Sequence, residues 1–155
     1  MVVQGFETMD TEIDGVFRDF RTVAVVGLSK DPGKDSHRVA KFLMDRGFNV
    51  IPVNPTADSV LERKAFPSLG SLPDELKSQL EIVNIFRPSS DVPSIVDEVL
   101  TIRQRFGRPF VIWMQLGIRN DSAAAKAASA GMTVIQDRCM MVEGSSREQL
   151  LGFRT

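Results

Sequence analysis

Residues 22–46 join an apolar run, a glycine-containing loop and an amphipathic helix, and this combination is typical of anion-binding sites. Thr22–Val26 is rich in β-branched residues and predicts a buried strand that ends at Gly27. Apolar residues at helical spacing predict a helix over 36–46, and Ser36 is the predicted N-cap, because its hydroxyl accepts a hydrogen bond from the first turn. The unpaired N–H groups and the dipole of that helix both point at the loop, so the pattern predicts that an anion binds there.

Two familiar nucleotide-binding motifs nearly match this loop and fail. The dinucleotide fingerprint G-x-G-x-x-G requires a second glycine, but Leu28 and Ser29 follow Gly27. The P-loop G-x-x-x-x-G-K-[ST] requires four residues between its glycines, whereas five lie between Gly27 and Gly33, and Asp35 follows the lysine. We therefore reject an ATP-hydrolysing P-loop and do not expect a standard dinucleotide site. A loop that binds nothing is the alternative, but this loop is longer than most strand-to-helix connections.

The composition indicates one ordinary globular domain. The chain has 155 residues, of which 43% are hydrophobic and 25% are charged, and its net charge is −1. This balance provides no basic surface for nucleic acid, and no apolar run approaches the roughly 20 residues that span a bilayer. One cysteine and one histidine exclude an intramolecular disulfide and argue against a metal site. The first residues lack the basic and apolar regions of a signal peptide, so we expect a soluble, cytoplasmic protein.

Strand patterns and helix patterns alternate along the chain. Strands are predicted over residues 22–26, 49–53, 81–86, 110–114 and 132–136. Pro52 lies inside the second of these, which is therefore expected to be short or to end near it. Helices are predicted over about 10–20, 36–46, 91–106 and from Asn120 or Asp121 to Gly131, with one short helix in the tail after Asp137.

This alternation predicts βαβ units with right-handed crossovers. We therefore expect a single α/β domain over residues 1–155, with a core over about 21–143. Its parallel sheet should have about five strands and helices on both faces, since the strands read as near-continuous apolar runs.

Ligands of such sheets bind outside the carboxyl ends of the strands, at the point where the strand order reverses. The segments that follow the predicted strands are 27–34, 53–55, 86–89, 115–118 and 137–139. Each is richer in polar residues, glycine or proline than the strand before it. We expect the ligand site to be assembled from these segments.

The same segments carry a family resemblance. The stretches VAVVGLSKDPGKDSHRVAKFL, NVIPVNP, AFPSL, IVNIFRPSSDVP, VIWMQLGI and DRCMMVE, taken in order, resemble the small stand-alone CoA-binding proteins. They are similar, more distantly, to the CoA-binding domain of the succinyl-CoA synthetase α subunit. The resemblance covers about residues 20–143 and implies a Rossmann-like fold with coenzyme A as the ligand.

By matching position, the resemblance also implies a set of cofactor-binding residues. Those implied near the nucleotide and its phosphates are Gly27, Leu28, Ser29, Lys34, Ser36, His37 and Arg38. Those implied on the adenine and ribose side are Val53, Asn54 and Pro55. Those implied in the rest of the groove are Phe86, Arg87, Pro88, Gln115, Gly117 and Ile118.

Three positions depart from the families and bear on the ligand. The stand-alone family usually has arginine where Lys34 stands and often an aromatic residue where His37 stands, and the synthetase has a phosphate-binding lysine where Ala57 stands. An NAD site places a carboxylate at the end of the second strand, whereas this chain places Asn54 there. An uncharged amide does not repel the 3′-phosphate of CoA, so we expect CoA to bind more tightly than NAD or NADP.

No arrangement of nucleophile, base and orienting group is readable in the chain, so no catalytic residues are assigned. His37 is interpreted as a surface residue of the first helical turn, and Cys139 as a small packing residue. The predicted function is a non-catalytic module that binds CoA or an acyl-CoA. The alternatives are an NAD(P)-dependent oxidoreductase on the same fold and an accessory subunit of an acyl-CoA ligase. A second copy of the chain or a ligase subunit are the partners considered.

Overall fold

The computed structural model describes the backbone of residues 2–151 and the side chains from Met9 onwards. Its helices are α1 Val2–Asp19, α2 Asp35–Asp45, α3 Asp74–Lys77, α4 Val92–Phe106, α5 Asp121–Ser129, α6 Met140–Ser145 and α7 Glu148–Leu151, with a 3₁₀ turn at Ser89–Asp91. Its strands are β1 Thr22–Val26, β2 Asn49–Val53, β3 Ser59–Val60, β4 Arg63–Lys64, β5 Ile82–Ile85, β6 Val111–Met114 and β7 Thr133–Ile135.

Five strands form a parallel sheet in the order β2-β1-β5-β6-β7, and β3 and β4 form a small antiparallel hairpin. Phe66 makes a single parallel bridge to Val53 at the outer edge of β2. One residue thus stands where a third Rossmann strand would lie. The strand order reverses between β1 and β5, which makes their carboxyl ends the switch point. The predicted Rossmann-like parallel sheet in a single domain is confirmed.

Strand β2 continues through Pro52, contrary to the expectation that it would be short or end near this residue. The backbone of Pro52 faces the outer edge of the sheet, where its carbonyl accepts a hydrogen bond of 3.0 Å from the N–H of Phe66. Proline lacks only the backbone N–H. The hydrogen bonds between β2 and β1 do not need an N–H from Pro52, because its backbone faces away from β1. An edge strand therefore tolerates proline in its interior.

Successive residues of each strand point to opposite faces, and both faces are covered. Val23 and Val25 of β1 pack on the side of α1, α2, α6 and α7, which we call the α2 face. Ala24 and Val26 pack on the side of α4 and α5, which we call the α4 face. Because neither face is open to solvent, both sets of side chains are apolar, as the continuous apolar strand patterns predicted.

The helices at the two ends differ most from expectation. Helix α1 begins at Val2 rather than near residue 10, and two short helices, α6 and α7, follow the last strand where one was predicted. Arg147 joins these ends: its Nε donates to Asp14 at 2.6 Å and its Nη1 to Glu143 at 2.9 Å. Burial by itself would lower the pKa of Arg147, but hydrogen bonds to the two carboxylates outweigh it and raise that pKa. Arg147 therefore stays charged and holds the C-terminal helices against α1.

Candidate functional site

A cleft of about 210 Å³ lies at the switch point, between the carboxyl ends of β1 and β2 and the start of α4. Four of the predicted site residues line it: Gly27, Val53, Pro55 and Arg87. The other lining residues are Val26, Pro67, Ser68, Leu69, Asp91, Ser94, Ile95 and Glu98. The cleft is smaller than the roughly 300–1,000 Å³ of pockets that enclose drug-sized ligands, so it suits one end of a large cofactor.

Gly27 shapes the floor of this cleft. Its φ is +90°, a conformation that side chains disfavour, and a Cβ added here would lie 2.5 Å from the carbonyl oxygen of Phe86. Its N–H donates to the carbonyl of Val53 at 2.9 Å. Gly27 thus lets the loops after β1 and β5 touch, and it ties the first of them to β2.

The loop after Gly27 is fastened to α2 by Ser36, which is not the N-cap. Helix α2 begins at Asp35 with Lys34 in the N-cap position, and no side chain caps it. Ser36 is only 5% exposed, and its hydroxyl accepts a hydrogen bond of 3.0 Å from the N–H of Ser29. The predicted N-cap is wrong because a neighbouring loop supplies the donor that the hydroxyl uses.

The basic residues implied near the phosphates do lie at the start of α2. Lys34 is exposed at the N-cap position. Arg38, also exposed, donates to the carbonyl of Gly33 at 2.9 Å and pairs with Asp35. His37 is half-buried, with Nδ1 2.9 Å from the carbonyl oxygen of Ser29. These side chains surround one helix N-terminus, which is the geometry that favours an anion.

The side chains of Leu28 and Asn54 hold the main chain of the loops after β1 and β2 in place. The Leu28 side chain is fully buried in the α2-face core, so only its main chain can face a ligand. Asn54 donates from Nδ2 to the Leu28 carbonyl at 2.9 Å. Its Oδ1 accepts from the N–H groups of Thr56 and Ala57 at 2.8 and 3.0 Å. A carboxylate could not make the first of these bonds, so an asparagine here has a structural reason independent of any ligand.

The residues predicted after β6 are held in a different way. Gln115 is 3% exposed, and its Oε1 accepts from Asn84 Nδ2 at 3.1 Å and from the N–H of Met140 at 2.9 Å. The N–H of Gly117 donates to Asp137 at 2.6 Å, and Ile118 packs against the α4-face core. None of these three predicted residues lines the switch-point cleft.

Phe86 and Pro88 flank Arg87 at the end of β5. Phe86 is half-buried against the α2-face core, and Pro88 is exposed just before the 3₁₀ turn. The guanidinium of Arg87 pairs with Asp91 at 2.9 Å. The loop after β5 therefore brings one residue, Arg87, into the cleft, together with the Phe86 carbonyl beneath Gly27.

Comparison with known proteins assigns the chain to a family. Residues 21–145 match the family described as CoA binding domain. The chain belongs to this CoA-binding domain family.

Three relatives place this CoA-binding domain among known proteins. It is 38% identical over 131 residues to the uncharacterized protein YneT of Bacillus subtilis (strain 168), which covers 84% of this chain and 90% of that protein. A solved structure of a hypothetical protein from Pyrococcus horikoshii OT3 is 33% identical, with a TM-score of 0.79 over 92% of both chains. A match of 36% identity over 80 residues joins it to Acetate–CoA ligase [ADP-forming] II of Archaeoglobus fulgidus, covering 50% of this chain and 11% of the ligase.

Sequence reasoning missed the wall of the cleft that α4 supplies to this CoA-binding domain. Asp91, Ser94 and Glu98 project into the cleft beside the buried Ile95. Their spacing, i, i+3 and i+7, is that of one helical face. This polar stripe was present in the sequence, but only the apolar stripe of the same helix was used, to predict the core.

Three further observations concern the cysteine, possible metal ligands and the helices of the CoA-binding domain. Cys139 is half-buried and packs against the α2-face core at the start of α6. Within residues 2–151, no group of three or more histidine, cysteine or carboxylate side chains is placed to hold a metal ion. No helix in that part of the chain is long and apolar enough to cross a membrane.

Proposed function

We propose that this CoA-binding domain binds CoA or an acyl-CoA at the switch point, as a non-catalytic module. One observation carries the proposal: a chain that matches the CoA-binding family over residues 21–145 has its cleft where parallel sheets bind nucleotides. The alternative of an NAD(P)-dependent oxidoreductase lacks this support. The second glycine that lets a dinucleotide pyrophosphate approach the loop is also absent.

The geometry supports one orientation of the ligand. Val53, Leu69 and Ile95 provide apolar walls for the adenine ring, and the cleft volume of about 210 Å³ leaves room for only the nucleoside end. The diphosphate would then lie at the N-terminus of α2, near Lys34. The pantetheine arm and any acyl group would extend out of the cleft along the sheet edge.

The surroundings of His37 and Cys139 support the non-catalytic part of the proposal, because histidine and cysteine are the side-chain types that would most readily serve in catalysis. Nδ1 of His37 is engaged by the Ser29 carbonyl, and Cys139 packs against apolar side chains. Neither residue lines the cleft.

Calorimetric titration with CoA, acetyl-CoA, NAD and NADP tests the proposal. We expect CoA to bind measurably and both dinucleotides to bind much more weakly. Tighter binding of NAD than of CoA would overturn the ligand assignment.

A matched pair of variants locates the site. Ser94 and Thr101 are exposed residues of α4 whose hydroxyls both donate to carbonyls of their own helix at 3.0 Å, but only Ser94 lines the cleft. Ser94→Leu should block the cleft and abolish CoA binding, while Thr101→Leu should leave the affinity unchanged. Equal affinities in the two folded variants would place the ligand elsewhere.

A second candidate is an accessory role in an acyl-CoA ligase. The observation that favours it is the match to the Archaeoglobus ligase, which covers only 11% of that protein. A separate chain carrying the remaining domains would then be needed for activity. Native purification followed by an assay for ATP-dependent acetyl-CoA formation tests this. A co-purified second subunit with this activity supports the accessory role, and native material that contains neither argues for the simple binding module.

A further inference from the structure

We infer that Asp91 and Glu98 make the switch-point cleft a site for an adenosine with free ribose hydroxyls, so that the 3′-phosphate of CoA contributes nothing favourable to binding. The inference rests on the proposed function, because it concerns the nucleoside end of the ligand in that cleft. The inference adds a preference between phosphorylated and unphosphorylated ribose, which does not follow from membership of the family.

Both carboxylates are held on the α4 side of the cleft. Glu98 accepts a hydrogen bond of 3.0 Å at Oε2 from the N–H of Gly70, which ties it to the loop that forms the neighbouring wall. Asp91 accepts from Arg87 at 2.9 Å. Both residues line the same cleft as Gly27 and Val53, the ends of β1 and β2.

The charge of the cleft disfavours a second phosphate. Arg87 is the one cation among its lining residues, and Asp91 already neutralises it, so the charge of Glu98 remains uncompensated within the cleft. A ribose phosphate inside the cleft and within about 8 Å of Glu98, the screening length at physiological ionic strength, would be repelled by this carboxylate.

The same carboxylates suit a ribose that carries no phosphate. In dinucleotide sites, an acidic residue at the end of the second strand accepts hydrogen bonds from the ribose hydroxyls. Asn54 occupies that position here and spends its amide on the turn, as described above. The structure places two carboxylates across the cleft instead, more than 35 residues further along the chain: Asp91 at the end of the 3₁₀ turn and Glu98 on α4. The end of β2 therefore lacks a carboxylate for the ribose, as Asn54 indicated, but the cleft as a whole does not.

CoA and 3′-dephospho-CoA differ only in the ribose phosphate, so their relative affinity isolates this effect from the rest of the ligand. Calorimetric titration should show dephospho-CoA binding as tightly as CoA, or up to about tenfold more tightly, since the repulsion opposes only the phosphorylated ligand. CoA binding more than about threefold tighter than dephospho-CoA would overturn the inference, because the 3′-phosphate would then contribute favourably to binding.

Glu98→Gln is the decisive variant, because the amide keeps an oxygen for the N–H of Gly70 while losing the charge. It should shift the ratio of affinities toward CoA by about threefold to tenfold. Asp97→Asn is the matched control: it removes a carboxylate one residue away, which faces Lys126 at 2.8 Å and does not line the cleft. The control should leave the ratio unchanged.

The outcomes separate this inference from the proposed function. An unchanged ratio in Glu98→Gln, or the same shift in Asp97→Asn, would overturn the inference while CoA binding stands. Failure of both CoA and dephospho-CoA to bind the unmodified chain would overturn the proposed function and, with it, the inference.

Discussion

The edge of the sheet formed by the carboxyl ends of its strands has two halves that use polar residues differently. At the ends of β1, β2 and β5, Gly27 and Asn54 shape the main chain, and an open cleft is left between them and α4. At the ends of β6 and β7, the polar groups are consumed internally: Gln115 accepts two hydrogen bonds in the core, and Asp137 accepts one from Gly117.

The difference teaches how to interpret a polar residue that follows a strand. Its position brings it to the ligand edge, but its hydrogen-bond partners decide whether it can serve a ligand. Trp113 shows the same on the closed half, since its Nε1 donates to the carbonyl of Arg138 at 2.8 Å. We therefore expect substitutions in the closed half to change stability, and those at the open half to change binding as well.

Gly27→Ala should have the largest effect. The new Cβ would meet the Phe86 carbonyl at 2.5 Å while φ stays at +90°. We expect the free energy of unfolding to fall by roughly 3–5 kcal/mol, because the backbone clash adds to the strain of a positive φ. Urea denaturation followed by the fluorescence of the buried Trp113 measures this loss.

Gly117→Ala is the matched control in the closed half. Its φ is +83°, yet a Cβ there would meet nothing within 4 Å. Only the backbone strain remains, so the loss should be about 1 kcal/mol. Equal losses in the two variants would show that the close approach at Gly27 does not shape the open half.

Gln115→Met should have the next largest effect. It leaves the N–H of Met140 without its acceptor in the core, and Nδ2 of Asn84 keeps only the weak acceptor Sδ of Met140 at 3.2 Å. Each unpaired buried donor costs about 1–3 kcal/mol, so the free energy of unfolding should fall by roughly 2–4 kcal/mol. The exposed Gln104→Met on α4 is the control and should change stability by less than about 0.5 kcal/mol.

The affinity of the folded Gln115→Met protein for CoA decides the role of this residue. We expect it to be unchanged, because Gln115 lies outside the cleft. A loss of affinity without a loss of stability would show that Gln115 belongs to the binding site. The open and closed halves would then not differ in their role.

Lys34→Ala should have the smallest effect on folding and a clear effect on binding. Lys34 is exposed at the N-cap position of α2, so its removal should barely change stability. A charge-assisted hydrogen bond to a phosphate is worth roughly 1.5–3 kcal/mol, so CoA should bind correspondingly more weakly in calorimetry.

Lys41→Ala provides the comparison for charge alone. Lys41 is exposed on the same helix and pairs with Asp45 at 3.3 Å. Its loss should leave CoA affinity unchanged. If both lysine variants bind CoA as the unmodified chain does, the phosphates do not lie at the start of α2.

Much of the fold was predictable because the signals are local. The five parallel strands fall within a residue or so of their predicted bounds, since apolar runs bounded by glycine and proline mark them directly. Asn120 caps α5 through a hydrogen bond of 3.0 Å to the N–H of Ala123, as one of the two predicted caps. Ser36 failed as a cap because its partner, Ser29, comes from a loop that folds back on the helix.

The candidate site was predictable only in part. Four residues predicted at strand ends, Gly27, Val53, Pro55 and Arg87, line a common cleft at the switch point, and their role in binding stays a prediction. Asp91 and Glu98 were missed because neither directly follows a strand: Asp91 ends the 3₁₀ turn before α4, and Glu98 enters from the side of that helix. No pattern within α4 shows whether its polar stripe faces solvent or the end of the sheet.

By itself, the sequence determined the alternation of strands and helices and the parallel sheet that they form, and it predicted the edge of that sheet at which we expect a ligand. These follow from apolar periodicity and chain handedness, which act over short stretches. Only the tertiary structure decided which polar groups at that edge are free. Hydrogen bonds between distant segments, such as Gln115 with Met140 or Asn54 with Leu28, remove some of them from reach of a ligand. The packing of α4 against the sheet brings two carboxylates to the cleft, because a helix face acquires a neighbour only when the chain has folded.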